Sequence, residues 1–324
     1  MSARMSGPVD LVLSGGGVLG IGHVGVAAVL EEHGLRPERI AGTSAGAIVG
    51  SLLAAGADPA ALRSLMDQLD WRRVLDPDAL DRVPILGPVA SVVLENGYAK
   101  GDYIHNLLRE ELASRGVETF GDLRRDDPGD DPRGESQWRL TVLAADVTRG
   151  ELLRLPQDYV RYDLDPDTQS VADAVRASIS VPYLFEPARL RYPSGSSRLV
   201  DGGLISNYPI DSFDRTDGQP ARWPTIGVTL LPMLPSEDVR LVPALGLLRP
   251  VPGFRFLESV VTTAIVGRDQ AYLAQPWVRE RSIQVDSLGV NPFDFTIDRA
   301  TVERLYQSGR TAAEAFLARG GPKG

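Results

Sequence analysis

The fold is decided by two stretches, LVLSGGGVLGIGHVGVAAVL at residues 11–30 and IAGTSAGAIVGSLLAAGA at residues 40–57. Each begins with a short apolar run, passes through a glycine-punctuated turn and ends in an apolar helical segment. Strands that read as continuous apolar runs are typical of a parallel sheet buried on both faces. We therefore predict an α/β fold of three layers, with a mainly parallel central sheet and helices on both faces.

A membrane helix is the alternative interpretation of residues 11–30, because the run carries no charge and Arg4 precedes it as in a signal peptide. Six glycines lie within the run, however, and such a cluster divides it into a strand and a helix. We expect a buried core with no signal peptide or transmembrane segment. The predicted location is cytoplasmic, with peripheral contact at a membrane surface left open.

The rest of the 324-residue chain continues the alternation of strands and helices, and we predict one domain over residues 1–324. Its motifs fall at about 9–210, and residues 211–324 complete the domain. The acidic, turn-rich residues 126–136 are predicted to form a solvated loop. Helices are predicted at 58–70, 101–115, 170–179 and 298–319, and strands at 138–146, 151–155, 188–191, 197–201 and 225–231.

Composition excludes several classes of site. The net charge of −9 argues against general binding to nucleic acid or to strongly anionic membranes. The chain has no cysteine, which excludes disulfides, thiolate nucleophiles and cysteine-ligated metals. It has three histidines, and neither His33 nor His105 has ligand-like spacing to other residues. We therefore expect no metal and no cofactor.

The second glycine turn, Gly42-Thr43-Ser44-Ala45-Gly46, matches the G-x-S-x-G pattern of a serine nucleophile. The pattern lies between a predicted strand and a predicted helix, where small neighbours allow a sharp turn that exposes the hydroxyl. The helix that follows directs its amide groups and positive dipole end towards Ser44. Ser44 is the candidate nucleophile, although the pattern also arises by chance in a chain rich in glycine and alanine.

The first glycine turn, residues 15–20, also matches the dinucleotide fingerprint G-x-G-x-x-G. That function needs an acidic residue at the end of the second strand, but the nearest acid is Glu38, before that end. A phosphate-binding P-loop fails because Ile21 and Gly22 stand where Lys and Ser or Thr are required. Three consecutive glycines instead suit an oxyanion hole of backbone amides beside Ser44.

The base that would activate Ser44 is less evident. A triad histidine in the usual chain order would have to be His105, which lies beside the apolar face of a predicted helix as a surface histidine does. His23 is expected to pack or to cap near the first glycine turn. A carboxylate can replace histidine when burial makes it basic enough. Asp201-Gly202-Gly203 offers one, but taken alone it reads as a hairpin turn.

The chain resembles the patatin-like phospholipase family in four blocks that occur in the family's order. The blocks are SGGGVLGIGHVGV (14–26), GTSAG (42–46), RASISVPYLFEP (176–187) and DGGLISNYP (201–209), and AADVTRGEL (144–152) is also similar to the family. By position, the resemblance implies that Ser44 is the nucleophile and Asp201 its general base. It also implies that the amides of Gly15, Gly16 and Gly17 form the oxyanion hole, without histidine or cofactor.

The resemblance implies a serine hydrolase that cleaves carboxylic esters of lipids, as a phospholipase A, lysophospholipase or lipid acyl hydrolase, through an acyl-enzyme. Two alternatives stay open, a non-catalytic lipid-binding or regulatory protein on the same fold and a nucleotide-binding oxidoreductase. The expected partner is a lipid or other acyl ester. Residues 241–257, LVPALGLLRPVPGFRFL, are interpreted as core and loop, with a hydrophobic rim for an acyl chain or membrane as the alternative.

Overall fold

The two strand and helix units predicted near the amino terminus form the centre of the molecule. A computed structural model describes residues 6–75, 97–127, 137–230 and 271–321 of the chain. Strand β1 (Gly7–Leu13) lies parallel to β2 (Leu35–Thr43), with Leu11 opposite Ile40 and Leu13 opposite Gly42. The carboxyl ends of both strands therefore meet at one edge of the sheet.

The central sheet of the described residues has eight strands in the order β10, β9, β1, β2, β4, β8, β7, with β5 paired to β4. Strands β10, β9, β1, β2 and β4 run parallel, whereas β5, β8 and β7 are joined by antiparallel pairs. A small separate sheet pairs β3 with β6. The remaining strands are β3 (Gly97–Ala99), β4 (Leu140–Asp146), β5 (Glu151–Leu155), β6 (Tyr183–Phe185), β7 (Ala188–Tyr192), β8 (Gly195–Asp201), β9 (Thr225–Thr229) and β10 (Ser282–Gln284).

Both faces of the sheet are buried. Leu11 and Leu13 of β1 belong to the larger apolar cluster, whereas Val12 between them belongs to a second cluster that includes Tyr208 and Val278. Successive side chains of one strand thus pack into two apolar cores on opposite faces of the sheet, as expected for a strand covered on both sides. The helices are α1 (Ile21–Glu32), α2 (Ala45–Ala54), α3 (Pro59–Gln68), α4 (Asp102–Ala113), α5 (Val171–Ser178), α6 (Gly203–Ser206), α7 (Pro276–Glu280) and α8 (Arg299–Ala318).

Helix α8 packs closely along α1. The Asp298 side chain caps α8 by accepting a hydrogen bond from the amide of Thr301 at 2.8 Å. At the contact, a Cβ added to Gly309 would overlap the carbonyl of Gly22, and a Cβ added to Gly25 would overlap the carbonyl of Tyr306. Glycine at these positions lets the two helix backbones touch.

The structure confirms the α/β fold and most of the predicted elements within a few residues. The sequence patterns do not predict the pairing of β3 with β6 or the short strand β10. Segments of three residues are too short to show a periodicity. The predicted apolar segment at 241–257 lies outside the described residues, as does most of the predicted loop at 126–136. Among the helices of the described ranges, none combines the length and apolar character needed to cross a membrane.

Replacing Gly309 with Ala is expected to destabilise the protein by about 1–3 kcal/mol, because the added methyl group overlaps the α1 backbone and forces the helices apart. Urea unfolding measures the change. Thr311→Ala, at an exposed position of the same helix, is the matched control and is expected to stay within about 0.5 kcal/mol of wild type. Equal stability of the two variants would contradict the close helix contact.

Candidate active site

Ser44 occupies the turn between β2 and α2 in a strained backbone conformation. Its φ of 52° and ψ of −120° lie outside the regions that non-glycine residues favour. A Cβ on Gly42 would approach the carbonyl oxygen of Gly46 to 2.5 Å, and a Cβ on Gly46 would overlap the carbonyl of Leu13. The G-x-S-x-G glycines are therefore required sterically by the turn that presents the serine.

Ser178 holds the backbone of Ser44 in place. The amide of Ser44 donates to Ser178 Oγ at 2.9 Å, and the Ser178 hydroxyl donates to the Leu143 carbonyl at 2.6 Å. Ser178 is fully buried at the last position of α5. Sequence reasoning did not single it out, although it lies within the block RASISVPYLFEP that carried part of the family resemblance.

Asp201 meets Ser44 beside β4. Thr43 is opposite Leu143 of β4, and Asp201, the last residue of β8, is opposite Ala144 on the other side of the same strand. The Ser44 side chain interacts with the Asp201 carboxylate closely enough to lower its pKa. The amide of Gly203 donates to Asp201 Oδ1 at 2.7 Å, and the amide of Asp201 donates to the Ser180 carbonyl at 2.9 Å. Gly202 leads into α6, so the Asp-Gly pair does not form a hairpin.

Burial makes Asp201 a stronger base than an ordinary aspartate. Its side chain is buried, and desolvation of the charged form raises its pKa from 3.8 to about 6. The interactions with Ser44 and with the Gly203 amide lower the pKa but do not cancel the effect of burial. The Asp201 carboxylate therefore has a greater affinity for a proton than it would have in water.

The first glycine turn lies beside Ser44, as the parallel pairing predicts. A Cβ on Gly15 would lie 3.2 Å from Cβ of Ser44. The amide of Gly15 donates to the Asn207 carbonyl at 3.1 Å, and the amide of Val18 donates to the Pro292 carbonyl at 2.9 Å. Between these two bonds, the amides of Gly16 and Gly17 have no hydrogen-bond partner among the residues that the structure describes. The prediction that Gly15 is a third oxyanion donor does not fit its bond to Asn207.

None of the three histidines contacts Ser44 through a hydrogen bond. His105 Nε2 lies 2.7 Å from Asp173 Oδ1 at the surface, and His33 Nδ1 lies 2.9 Å from the Val29 carbonyl. His23 is buried, with Nε2 2.8 Å from the Ser14 carbonyl. Within the described ranges, no group of three or more His, Asp or Glu side chains is arranged to hold a metal ion.

An apolar cavity opens at Ser44. Ser44 and Gly17 border it, and every other side chain of the described residues that lines it is apolar. Helices α2, α3 and α4 contribute Ile48, Met66 and Leu108. Phe293 and Phe295, from the segment between β10 and α8, line it as well. No sequence pattern marks these two residues, because only the packing of this segment against the first glycine turn brings them to the site.

Comparison with known proteins places these features in a family. A family model of patatin-like phospholipases matches residues 11–214. The protein YqhO of Bacillus subtilis is 39% identical over 313 residues, which cover 95% of this chain and 98% of that protein. Lysophospholipase nte1 of Emericella nidulans is 49% identical over 214 residues, which cover 65% of this chain but 11% of the fungal protein.

A solved structure gives the same fold assignment. The crystal structure of VipD from Legionella pneumophila superposes with a TM-score of 0.56 at 20% sequence identity. The match covers 98% of this chain and 68% of VipD. At this level of identity the likeness concerns the fold alone.

The raised pKa of Asp201 predicts a dependence of stability on pH that Asp201→Asn removes. The folded state binds the Asp201 proton more tightly than the unfolded state, so the contribution of Asp201 to wild-type stability falls as pH rises from 3.8 to about 6 and is level above that. The stability of the Asn variant relative to wild type is therefore expected to grow by about 3 kcal/mol across this range. Urea unfolding at several pH values measures it.

Asp163→Asn is the matched control. Asp163 is exposed and has a φ of 56°, a left-handed conformation that Asn adopts readily. Because Asp163 lies on the surface and away from Asp201, the control is expected to follow the wild-type profile. Parallel pH profiles for wild type and Asp201→Asn would contradict a raised pKa at Asp201.

Proposed function

This chain belongs to the patatin-like phospholipase family, and we propose that it is a serine hydrolase that cleaves carboxylic ester bonds of lipids. One observation carries the proposal: the hydroxyl of Ser44, on a strained turn at an apolar cavity, interacts with a buried carboxylate whose pKa is raised to about 6. A serine paired with a base of raised pKa is the arrangement that activates a hydroxyl for acyl transfer.

In the first step of the proposed reaction, Asp201 accepts the hydroxyl proton while Ser44 Oγ bonds to the carbonyl carbon of the ester. The carbonyl oxygen becomes an oxyanion, which the amides of Gly16 and Gly17 stabilise. The tetrahedral intermediate then collapses, the ester C–O bond breaks, and the proton passes from Asp201 to the leaving alkoxide. Ser44 is left acylated.

In the second step, water attacks the acyl-enzyme while Asp201 accepts a proton from it, and the fatty acid leaves as Ser44 regains its hydrogen. A pKa of about 6 keeps most of Asp201 ionised at neutral pH, and it makes the carboxylate roughly 100-fold more basic than ordinary aspartate. Hydrolysis by this route rises with pH through about 6, because the carboxylate form is the base.

The apolar lining of the cavity supports a lipid substrate, since it can bury an acyl chain without leaving any polar side chain unpaired. The similarity to a lysophospholipase points the same way. Peripheral contact with a lipid surface belongs to this proposal, because long-chain esters reside in membranes or micelles. We also propose that residues 1–324 form one domain, because Pro292, Phe293 and Phe295 border the site formed by the first 210 residues.

Fluorophosphonate labelling with peptide mapping tests the chemistry directly. We expect an adduct on Ser44 in the wild-type protein, none at this position in Ser44→Ala, and strongly slowed labelling in Asp201→Asn, because the serine then lacks its base. Hydrolysis of a short-chain ester is expected to follow the same order. Circular dichroism of all three proteins controls for folding.

A Ser44→Ala protein that keeps wild-type hydrolysis would overturn the assignment of the nucleophile. Absence of an adduct in the wild-type protein, even with vesicles present, would favour a lipid-binding or regulatory role on the same fold.

The role of the cavity is tested by Ile48→Trp, which places a bulky ring one helical turn from Ser44 in the cavity wall. We expect roughly 10-fold weaker hydrolysis of a long-chain ester with little change for an acetate ester, because the ring excludes only the chain. Leu53→Trp, on the same helix but away from the cavity, is the matched control. An equal loss on both esters would show that the cavity does not hold the chain.

A further inference from the structure

The hydrogen bonds of the first glycine turn leave little of its backbone free. Between Ser14 and Val18, two peptide units are fixed from outside the turn, the unit joining Ser14 to Gly15 and the unit joining Gly17 to Val18. The two units between them carry the amides of Gly16 and Gly17, which have no partner among the described residues. Within the turn, the Gly15 carbonyl accepts from Ser14 Oγ at 3.0 Å and the Gly16 carbonyl accepts from the amide of Leu19 at 3.1 Å. The direction of the two amides is therefore set by these bonds together with the two fixed units.

The unit joining Ser14 to Gly15 is held at both ends. A peptide unit is planar, and in the trans form its carbonyl oxygen and amide hydrogen point in opposite directions. The Gly15 amide end donates to the Asn207 carbonyl at 3.1 Å, and the Ser14 carbonyl end lies 2.8 Å from Nε2 of His23. Rotation of this unit would break both hydrogen bonds.

The Ser14 carbonyl oxygen determines which ring nitrogen of His23 carries the hydrogen. A carbonyl oxygen only accepts hydrogen bonds, so Nε2 carries the hydrogen and Nδ1 is the unprotonated nitrogen of a neutral ring. Burial agrees with this state, because desolvation lowers the pKa of His23 to about 4. Nδ1 is buried and has no hydrogen-bond partner among the described residues. His23 therefore makes one hydrogen bond in this part of the chain, and that bond is to the turn.

We propose that His23 is a positioning residue for the hydrolase reaction, whose Nε2–H holds the Ser14 carbonyl and thereby directs the amides of Gly16 and Gly17 towards the oxyanion. The inference rests on the proposed function and adds to it a role for the one histidine that is buried next to the site. His23 does not act as the base, because Asp201 is the group that interacts with the Ser44 side chain and His23 Nε2 is already engaged.

Without the Nε2–H donor of His23, the buried Ser14 carbonyl has no hydrogen-bond partner among the described residues. The peptide unit that joins Ser14 to Gly15 is then expected to rotate so that this carbonyl meets another donor. Such a rotation turns the neighbouring glycine amides away from the oxyanion. Misplacement of about 1 Å at a reacting centre costs about 100-fold in rate. Because the oxyanion forms only in the transition state, the loss appears in kcat and not in KM.

The test compares His23→Leu, which has no donor, with His23→Gln, whose side-chain amide nitrogen can take the place of Nε2. With a short-chain ester, we expect kcat of His23→Leu to fall roughly 10- to 100-fold with KM nearly unchanged. His23→Gln is expected to recover most of this loss. The rise of kcat/KM with pH through about 6 is expected to stay in place in both variants, since Asp201 sets it.

His33→Leu is the matched control. His33 also contacts a backbone carbonyl, that of Val29, but it lies at the opposite end of α1 from the glycine turn. Its kcat is expected to equal that of wild type. Urea unfolding of the three variants separates a loss of positioning from a loss of folded protein.

A measurement independent of activity keeps the proposal testable if His23→Leu does not fold. Nitrogen-15 NMR of histidine-labelled wild-type protein is expected to show one neutral ring with hydrogen on Nε2 that does not titrate between about pH 5 and pH 8. The His23→Gln variant assigns that signal by its disappearance. A ring with hydrogen on Nδ1 would overturn the proposal, because Nε2 then has no hydrogen to donate.

Three results separate this inference from the proposed function. Wild-type kcat in a folded His23→Leu variant overturns the inference alone, as does an equal loss in the Leu and Gln variants, which would assign the effect to packing. A wild-type protein that neither hydrolyses esters nor accepts a fluorophosphonate overturns the proposed function, and the positioning role falls with it.

Discussion

The parallel pairing of β1 with β2 is the interaction on which the rest of the site depends. It ends two strands side by side, Leu13 opposite Gly42, so the turns that follow them emerge at the same edge. One turn carries two amides without a partner among the described residues and the other carries a serine, and the proposed chemistry needs the two side by side. Glycine at position 46 is part of this constraint, because the turn after β2 passes against the backbone of β1.

Much of this arrangement could be predicted from the sequence, because it rests on local patterns. Glycine-punctuated apolar runs gave the strands, the helices and the position of Ser44. Asp201 could be assigned only through the family resemblance, since an Asp-Gly pair is common in turns and its burial depends on strands far apart in the chain. Ser178 lies in a block of the family resemblance but nothing in that block marks it as a site residue, and Phe293 has no motif around it, because each reaches the site through tertiary packing.

At Asp201, the burial that raises the pKa of the carboxyl group also lowers the stability of the fold. Burial gives the carboxylate its basicity, and the same burial makes its charged form costly in the folded state. The backbone of Ser44 is also unfavourable to stability, because it has a positive φ. Hydrogen bonding to Ser178 holds it in that conformation. The large apolar cores on both faces of the sheet provide the stability that offsets these two unfavourable features.

The segment that carries Pro292, Phe293 and Phe295 lies beyond residues 11–214, where the family model ends, yet it touches the first glycine turn and lines the cavity. The proposed reacting groups and part of the cavity wall are thus encoded in separate parts of the chain. Mutations in the later part can reshape the cavity while the serine and the aspartate stay fixed. Such a division allows a lineage to acquire new substrates without first losing its chemistry.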